Sequence, residues 1–178
     1  MKGKKAGVLQ WFNADCPFVI KHYGKNNTFN DLQSKYGKDV SLVFMDLDRF
    51  KEINDTHGHL AGSQLLREVG GLLAIFSEHH VYTPVRYGGD EFTLILPECG
   101  IEKTRLLAEE LRKTIEKHVF LEKRVSKEIP ALKIKNIITI SMGVASLKEN
   151  VRRNVSLNHT RDAIIKAADE AMYESKQN

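Results

Sequence analysis

Cysteine is scarce in this chain. Its two copies, Cys16 and Cys99, stand at no metal-binding or redox spacing. They offer no disulfide framework, and a reducing cytoplasmic setting is expected. Long apolar runs are missing too: none approaches the ~20 residues a membrane-spanning helix needs. The opening MKGKKAG lacks the apolar core of a signal peptide. No repeat, low-complexity tract or inter-domain linker is visible. What remains is ordinary globular material of 178 residues, 42% hydrophobic and 28% charged, enough for one domain with one core. The net charge of +4 mildly favours anionic partners. It makes no case for a nucleic-acid polymer or a membrane.

The hydrophobic pattern orders the elements. Residues 1–35 are poorly patterned and read as an N-terminal segment of the domain; residues 36–178 carry the pattern. Val40 to Met45 is a short apolar run closed by acids, which predicts a buried strand. RFKEINDTHGHLAG reads as a polar connection with turn residues, holding at most a short helix. From Ser63, the positions Leu65, Leu66, Val69, Leu72, Leu73 and Phe76 follow helical spacing. Residues 81–87 and 91–96 read as strands of a hairpin centred on Gly88-Gly89. A helix is expected over 102–118, and further strands in ALKIKNIITI and MGVASL, broken near Asn136 and Gly143. TRDAIIKAADEAMYESK closes the chain as a helix with Lys176 near its end, as the helix dipole favours. The order β, α, β, β, α, β, β, α predicts an α+β domain, a mixed central sheet flanked by helices.

Two acidic groups lie where strands end. Asp46 and Asp48 close the first strand, and Asp90 and Glu91 sit at the hairpin tip. A lone acid in a turn is usually a solvated carboxylate. Acids converging on one sheet edge can instead clamp a hard divalent cation, with substrate phosphates completing its shell.

The RYGGDEF hairpin, with FMDLDRFKEINDTHGHLAG before it and ITISMGVAS and AADEAMYESK after it, resembles the GGDEF domain family, the diguanylate cyclases and their relatives. The resemblance implies a palm-like sheet and a homodimer in which two nucleoside triphosphates face each other. Each 3′-hydroxyl attacks the other's α-phosphate and pyrophosphate leaves. Carried over, Asp46, Asp90 and the Leu47 carbonyl would hold Mg²⁺ or Mn²⁺. Asp90 or a nearby acid would help deprotonate the 3′-hydroxyl, and Glu91 would support the metal site. Lys51 would neutralise charge developing on the phosphates. Asn54 and His59 fall on nucleotide-binding positions, and Lys176 matches a lysine that reaches the triphosphate.

Ser63 departs from the family, which usually carries aspartate there to accept hydrogen bonds from guanine. A carboxylate only accepts, whereas a hydroxyl donates or accepts. The change removes an element that rejects adenine. Serine also caps helices well, but aspartate caps about equally well. Serine here resembles the Hypr (hybrid promiscuous) subgroup. That implies 3′,3′-cyclic GMP-AMP made from ATP and GTP, with cyclic di-GMP and cyclic di-AMP as side products. The alternatives are a strict diguanylate cyclase and a non-catalytic nucleotide-binding module.

Three further departures bear on the site. DCPFVIKHY, residues 15–23, keeps little of the family's usual opening. The sequence stops at Asn178, just where a Gly-Arg usually follows the lysine that Lys176 matches. The product-inhibition pair falls on His79 and Tyr82, so feedback there is not expected. An N-terminal regulatory domain outside this chain is expected to drive dimerisation.

Overall fold

The computed structural model of the chain describes residues 39–78, 82–127, 129–151 and 157–177. The expectations for residues 1–35, for 15–23 and for His79 lie outside these. The elements are β1 (Val40–Leu47), α1 (Phe50–Glu78), β2 (Thr83–Gly88), β3 (Glu91–Pro97), α2 (Ile101–Lys117), β4 (Ile140–Ser146), α3 (Leu147–Asn150) and α4 (Leu157–Gln177).

The strands form one sheet in the order β2-β3-β1-β4. Every pairing in it is antiparallel. The α+β architecture is as expected, but the neighbours are not mixed. Both helical crossovers, β1-α1-β2 and β3-α2-β4, join strands that run the same way. In each case another strand lies between the two: β3 separates β1 from β2, and β1 separates β3 from β4. This is the split βαβ arrangement, in which parallel crossovers produce antiparallel ladders.

Two corrections concern element boundaries. The expected polar connection is helical: α1 starts at Phe50, and Gly58 (φ 82°, ψ 160°) breaks it inside. Ile53 is buried before the break, and Ala61, Leu65, Val69 and Leu73 are buried after it in steps of four, so each segment turns an apolar side to the core. The expected strand in ALKIKNIITI does not form. Lys133 (φ 50°) and Asn136 (φ 57°) take left-handed backbone that no ladder tolerates. The segment keeps a single bridge between Phe120 and Ile134, and buries Ile134 and Ile138. By contrast β4 runs unbroken through Gly143, which pairs with Phe44.

The sheet has two unlike faces. Val43, Met45 and Leu94 pack with Leu65 and Leu73 of α1 and Leu111 of α2. Leu42, Phe44 and Ala145 pack with Ile164, Ala168 and Met172 of α4. Burying one such large side chain stabilises by about 1.5–3 kcal/mol. An exposed ion pair such as Arg49–Glu52 adds little, because solvent screens it. The two apolar faces therefore hold the fold. No helix among the described residues is long and apolar enough to cross a membrane.

Gly143 sets the distance between α4 and the sheet. A Cβ there would collide with the Ala168 carbonyl and the Met172 amide, both backbone atoms that cannot swing aside. Gly143→Ala is expected to destabilise the domain by about 2–3 kcal/mol, the cost of overpacking a close contact. Urea unfolding checks this, and an unchanged midpoint would mean α4 is free to shift.

Candidate active site

Asp46 is the penultimate residue of β1. It stands opposite Glu91 of β3 and Ser141 of β4 in the two ladders. Residues paired across antiparallel strands project from one face. Asp46 and Glu91 therefore emerge together on the α4 side, beyond the apolar part of that face. Gly88 pairs with Glu91, so the hairpin loop is Gly89-Asp90, one residue later than the expected glycine pair. Gly89 takes positive φ (48°), which a tight hairpin turn requires. Arg86 donates from Nε and Nη2 to the Gly89 carbonyl at 2.9 and 2.6 Å. The Leu47 amide donates to the Asp90 carbonyl at 3.3 Å. The hairpin tip is thus tied to the end of β1.

Lys176 completes this group from α4. Its Nζ lies 2.6 Å from Asp46 Oδ1. It reaches the carboxylate because α4 lies close on Gly143, one helical turn earlier at Met172. The acids stand close enough to resist ionisation together. Burial raises the Asp90 carboxyl above its usual range, and the Asp46 charge raises it further, against Lys176 and Arg86. Burial likewise raises Glu91, followed by the charges of Asp46, Asp90 and Asp169.

Such a site suits a divalent cation. Among the described residues no three metal-ligating side chains close into a cage. Mg²⁺ does not need one: it is held by one or two carboxylates, with water and substrate phosphates filling the remaining positions. Asp46 and Asp90 supply that oxygen chemistry, and Lys176 already brings positive charge to Asp46. Asp48, read beside Asp46 as a strand-end acid, is engaged elsewhere, with Thr139 and Ser141.

The other expected residues line α1. Lys51 lies exposed in its first turn, and His59 lies exposed just after the Gly58 break. The Asn54 side chain rests on Gly62, where a Cβ would overlap its Oδ1. Ser63 follows Gly62 directly and is half-buried. It stands within α1, well past the helix start, so the reading of Ser63 as the cap of that helix is overturned. The structure thus brings Asp46, Asp90, Glu91 and Lys176 together, with the Leu47 backbone beside them. Asn54 and Ser63 are gathered at Gly62.

Sequence reasoning missed Arg86, Asp169, Gly62 and Gly143. For Asp169 a signal existed: it precedes Lys176 by two helical turns and so shares its face. The two glycines carried none, because only the approach of another element gives them a role.

The sign of the pH effect follows from the raised carboxyls. An acid with a raised folded-state pKa stabilises the fold below its unfolded pKa, about 4, and loses that contribution as pH rises through the folded value. Asp90→Asn removes one repelling charge. It is expected to raise the melting temperature at pH 7 and to leave it unchanged near pH 3, as calorimetry would show. A lower melting temperature at pH 7 would contradict the proposed repulsion.

Comparison with known proteins agrees with this geometry. The family described as "Diguanylate cyclase, GGDEF domain" matches residues 25–178. Diguanylate cyclase VdcA of Vibrio cholerae is 34% identical over 140 residues, covering 79% of this chain and 37% of VdcA. Diguanylate cyclase A of Treponema denticola is 35% identical over 139 residues, covering 78% of this chain and 33% of the relative. The chain therefore spans about a third of the length of these curated relatives. The crystal structure of the GGDEF domain of DgcB from Caulobacter crescentus, in complex with c-di-GMP, superposes with a TM-score of 0.66 at 27% identity, over 85% of this chain and 80% of that one. With the signature on its hairpin and the acids gathered at one strand end, the chain belongs to the GGDEF domain family of diguanylate cyclases.

Proposed function

We propose that the chain is a cyclic dinucleotide synthase that joins two GTP molecules into cyclic di-GMP and releases two pyrophosphates. The observation that carries this reading is the meeting of Asp46, Asp90, Glu91 and Lys176 at one strand end. The relatives named as diguanylate cyclases support GTP as the substrate.

In this reading Asp46, Asp90 and the Leu47 carbonyl hold Mg²⁺ or Mn²⁺. The bound ion supplies charge neutralisation on the phosphates and acidifies the attacking hydroxyl. Asp90 or Glu91 takes the 3′-hydroxyl proton; their raised carboxyls sit nearer to neutrality, where a base works best. The 3′-oxygen bonds to the α-phosphorus of the facing nucleotide, and the bond to pyrophosphate breaks. Lys176 leaves Asp46 for the triphosphate, and Lys51 adds positive charge from the first turn of α1. Asn54, His59 and Ser63 take the nucleotide's base end. Each nucleotide must be attacked by the other, so the working unit is a homodimer of facing sites. A regulatory domain outside this chain sets how often they meet.

A second reading rests on Ser63. Where a carboxylate would face the bare N1 lone pair of adenine unfavourably, a hydroxyl rotates to suit either base. ATP then enters beside GTP, and 3′,3′-cyclic GMP-AMP forms with cyclic di-GMP and cyclic di-AMP. The relatives are named for diguanylate cyclase activity, so their support runs to cyclic di-GMP.

Mass spectrometry of products from equal ATP and GTP with Mg²⁺, at high protein concentration, decides between them. Cyclic di-GMP as the dominant product is expected. A major cyclic GMP-AMP peak that Ser63→Asp abolishes would establish the second reading instead. Asp90→Asn should lower turnover by ~10²–10⁴-fold. No product from the wild type, even when dimerised by a fused coiled coil, would overturn both readings.

A further inference from the structure

Asp48 lies two residues after Asp46 and does different work. Its Oδ2 accepts the Thr139 hydroxyl at 2.7 Å, and its Oδ1 accepts the Ser141 hydroxyl at 2.8 Å. Its amide donates to the Thr139 carbonyl at 3.0 Å. Three hydrogen bonds thus fasten one residue to the entrance of β4. Those to a carboxylate are about twice as strong as neutral ones.

The fastening falls where the chain changes direction. On one side, the Leu47 amide is held by the Asp90 carbonyl at 3.3 Å. On the other, Arg49 takes left-handed backbone (φ 62°), and its carbonyl accepts from the Glu52 and Ile53 amides to begin α1. A non-glycine residue is held in that region only when its surroundings over-determine it. Asp48 supplies the restraint immediately before it.

We propose that Asp48, gripped by Thr139 and Ser141, is a positioning residue that fixes the β1–α1 connection so that Asp46 and the Leu47 carbonyl address one divalent cation. This rests on the metal-dependent reading above. Asp48 does not itself ligate: turning toward the cation would break both hydroxyl bonds. Partners that orient a ligand in this way typically matter ~10–100-fold in metal affinity.

The test is Mn²⁺ binding to the full chain, followed by the electron paramagnetic resonance of the free ion. Asp48→Asn, Thr139→Val and Ser141→Ala are each expected to weaken Mn²⁺ binding about tenfold. The Asp48→Asn/Thr139→Val double variant should bind no more weakly than Asp48→Asn alone, because both changes break one unit. If the hydroxyl variants bind like wild type while Asp48→Asn loses Mn²⁺, Asp48 is a ligand and the proposal fails. If every variant binds like wild type, whatever its melting temperature, the grip is merely structural and the proposal also fails. A wild type that binds no Mn²⁺ overturns it too. Binding without product would strike only the proposed reaction.

Discussion

The central strand β1 is hydrogen-bonded along both edges, and its register decides what meets at the site. Against β3 it sets Asp46 opposite Glu91; against β4 it sets Asp46 opposite Ser141. A slip of one residue would turn Asp46 into the core and Met45 into the site. The apolar residues of β1 forbid that slip. Val43, Met45 and Leu47 belong to one packed face, and Leu42 and Phe44 to the other. The hydrophobic effect, which has no chemistry of its own, thus selects the face on which the acids emerge.

That placement sets stability against chemistry. Asp90 and Glu91 lie where burial and the neighbouring Asp46 charge both oppose ionisation. A domain selected for stability alone would not put them there. Lys176 offsets part of the strain from α4, and Arg86 holds the hairpin tip from β2. Both restraints come from elements outside β1. The site is therefore a junction of the whole sheet rather than a property of one loop.

Much of this was legible in the sequence, for identifiable reasons. The short apolar run Val40 to Met45 fitted a buried strand, and the two glycines between the segments at 81–87 and 91–96 fitted a tight hairpin. The acids were legible because strand ends are where polar residues break an apolar pattern. The start of α1 was not legible, since a helix with few apolar residues in its first turns resembles a loop. The break near Asn136 was read, but the left-handed backbone at Lys133 that removes the rest of the strand was not, because such residues leave no hydrophobic trace. Gly62 and Gly143 were silent because a close approach is written in two segments at once. The partners of Asp48 were hidden for the same reason: they lie at the entrance of β4, ninety-odd residues away.

The break at Gly58 has a consequence for how such a domain can diversify. A Cβ at this position would meet no neighbour, so the glycine serves backbone conformation alone. It divides α1 into a short segment rooted in the β1 turn and a long one rooted in the core. Lys51 and Asn54 ride on the first, and Ser63 on the second. A rotation or substitution in one half is not transmitted as helical phase to the other. On the proposed reading, Ser63 can therefore change without re-aiming Lys51, and the residue set at the base end is free to vary while the charge at the start of α1 stays fixed.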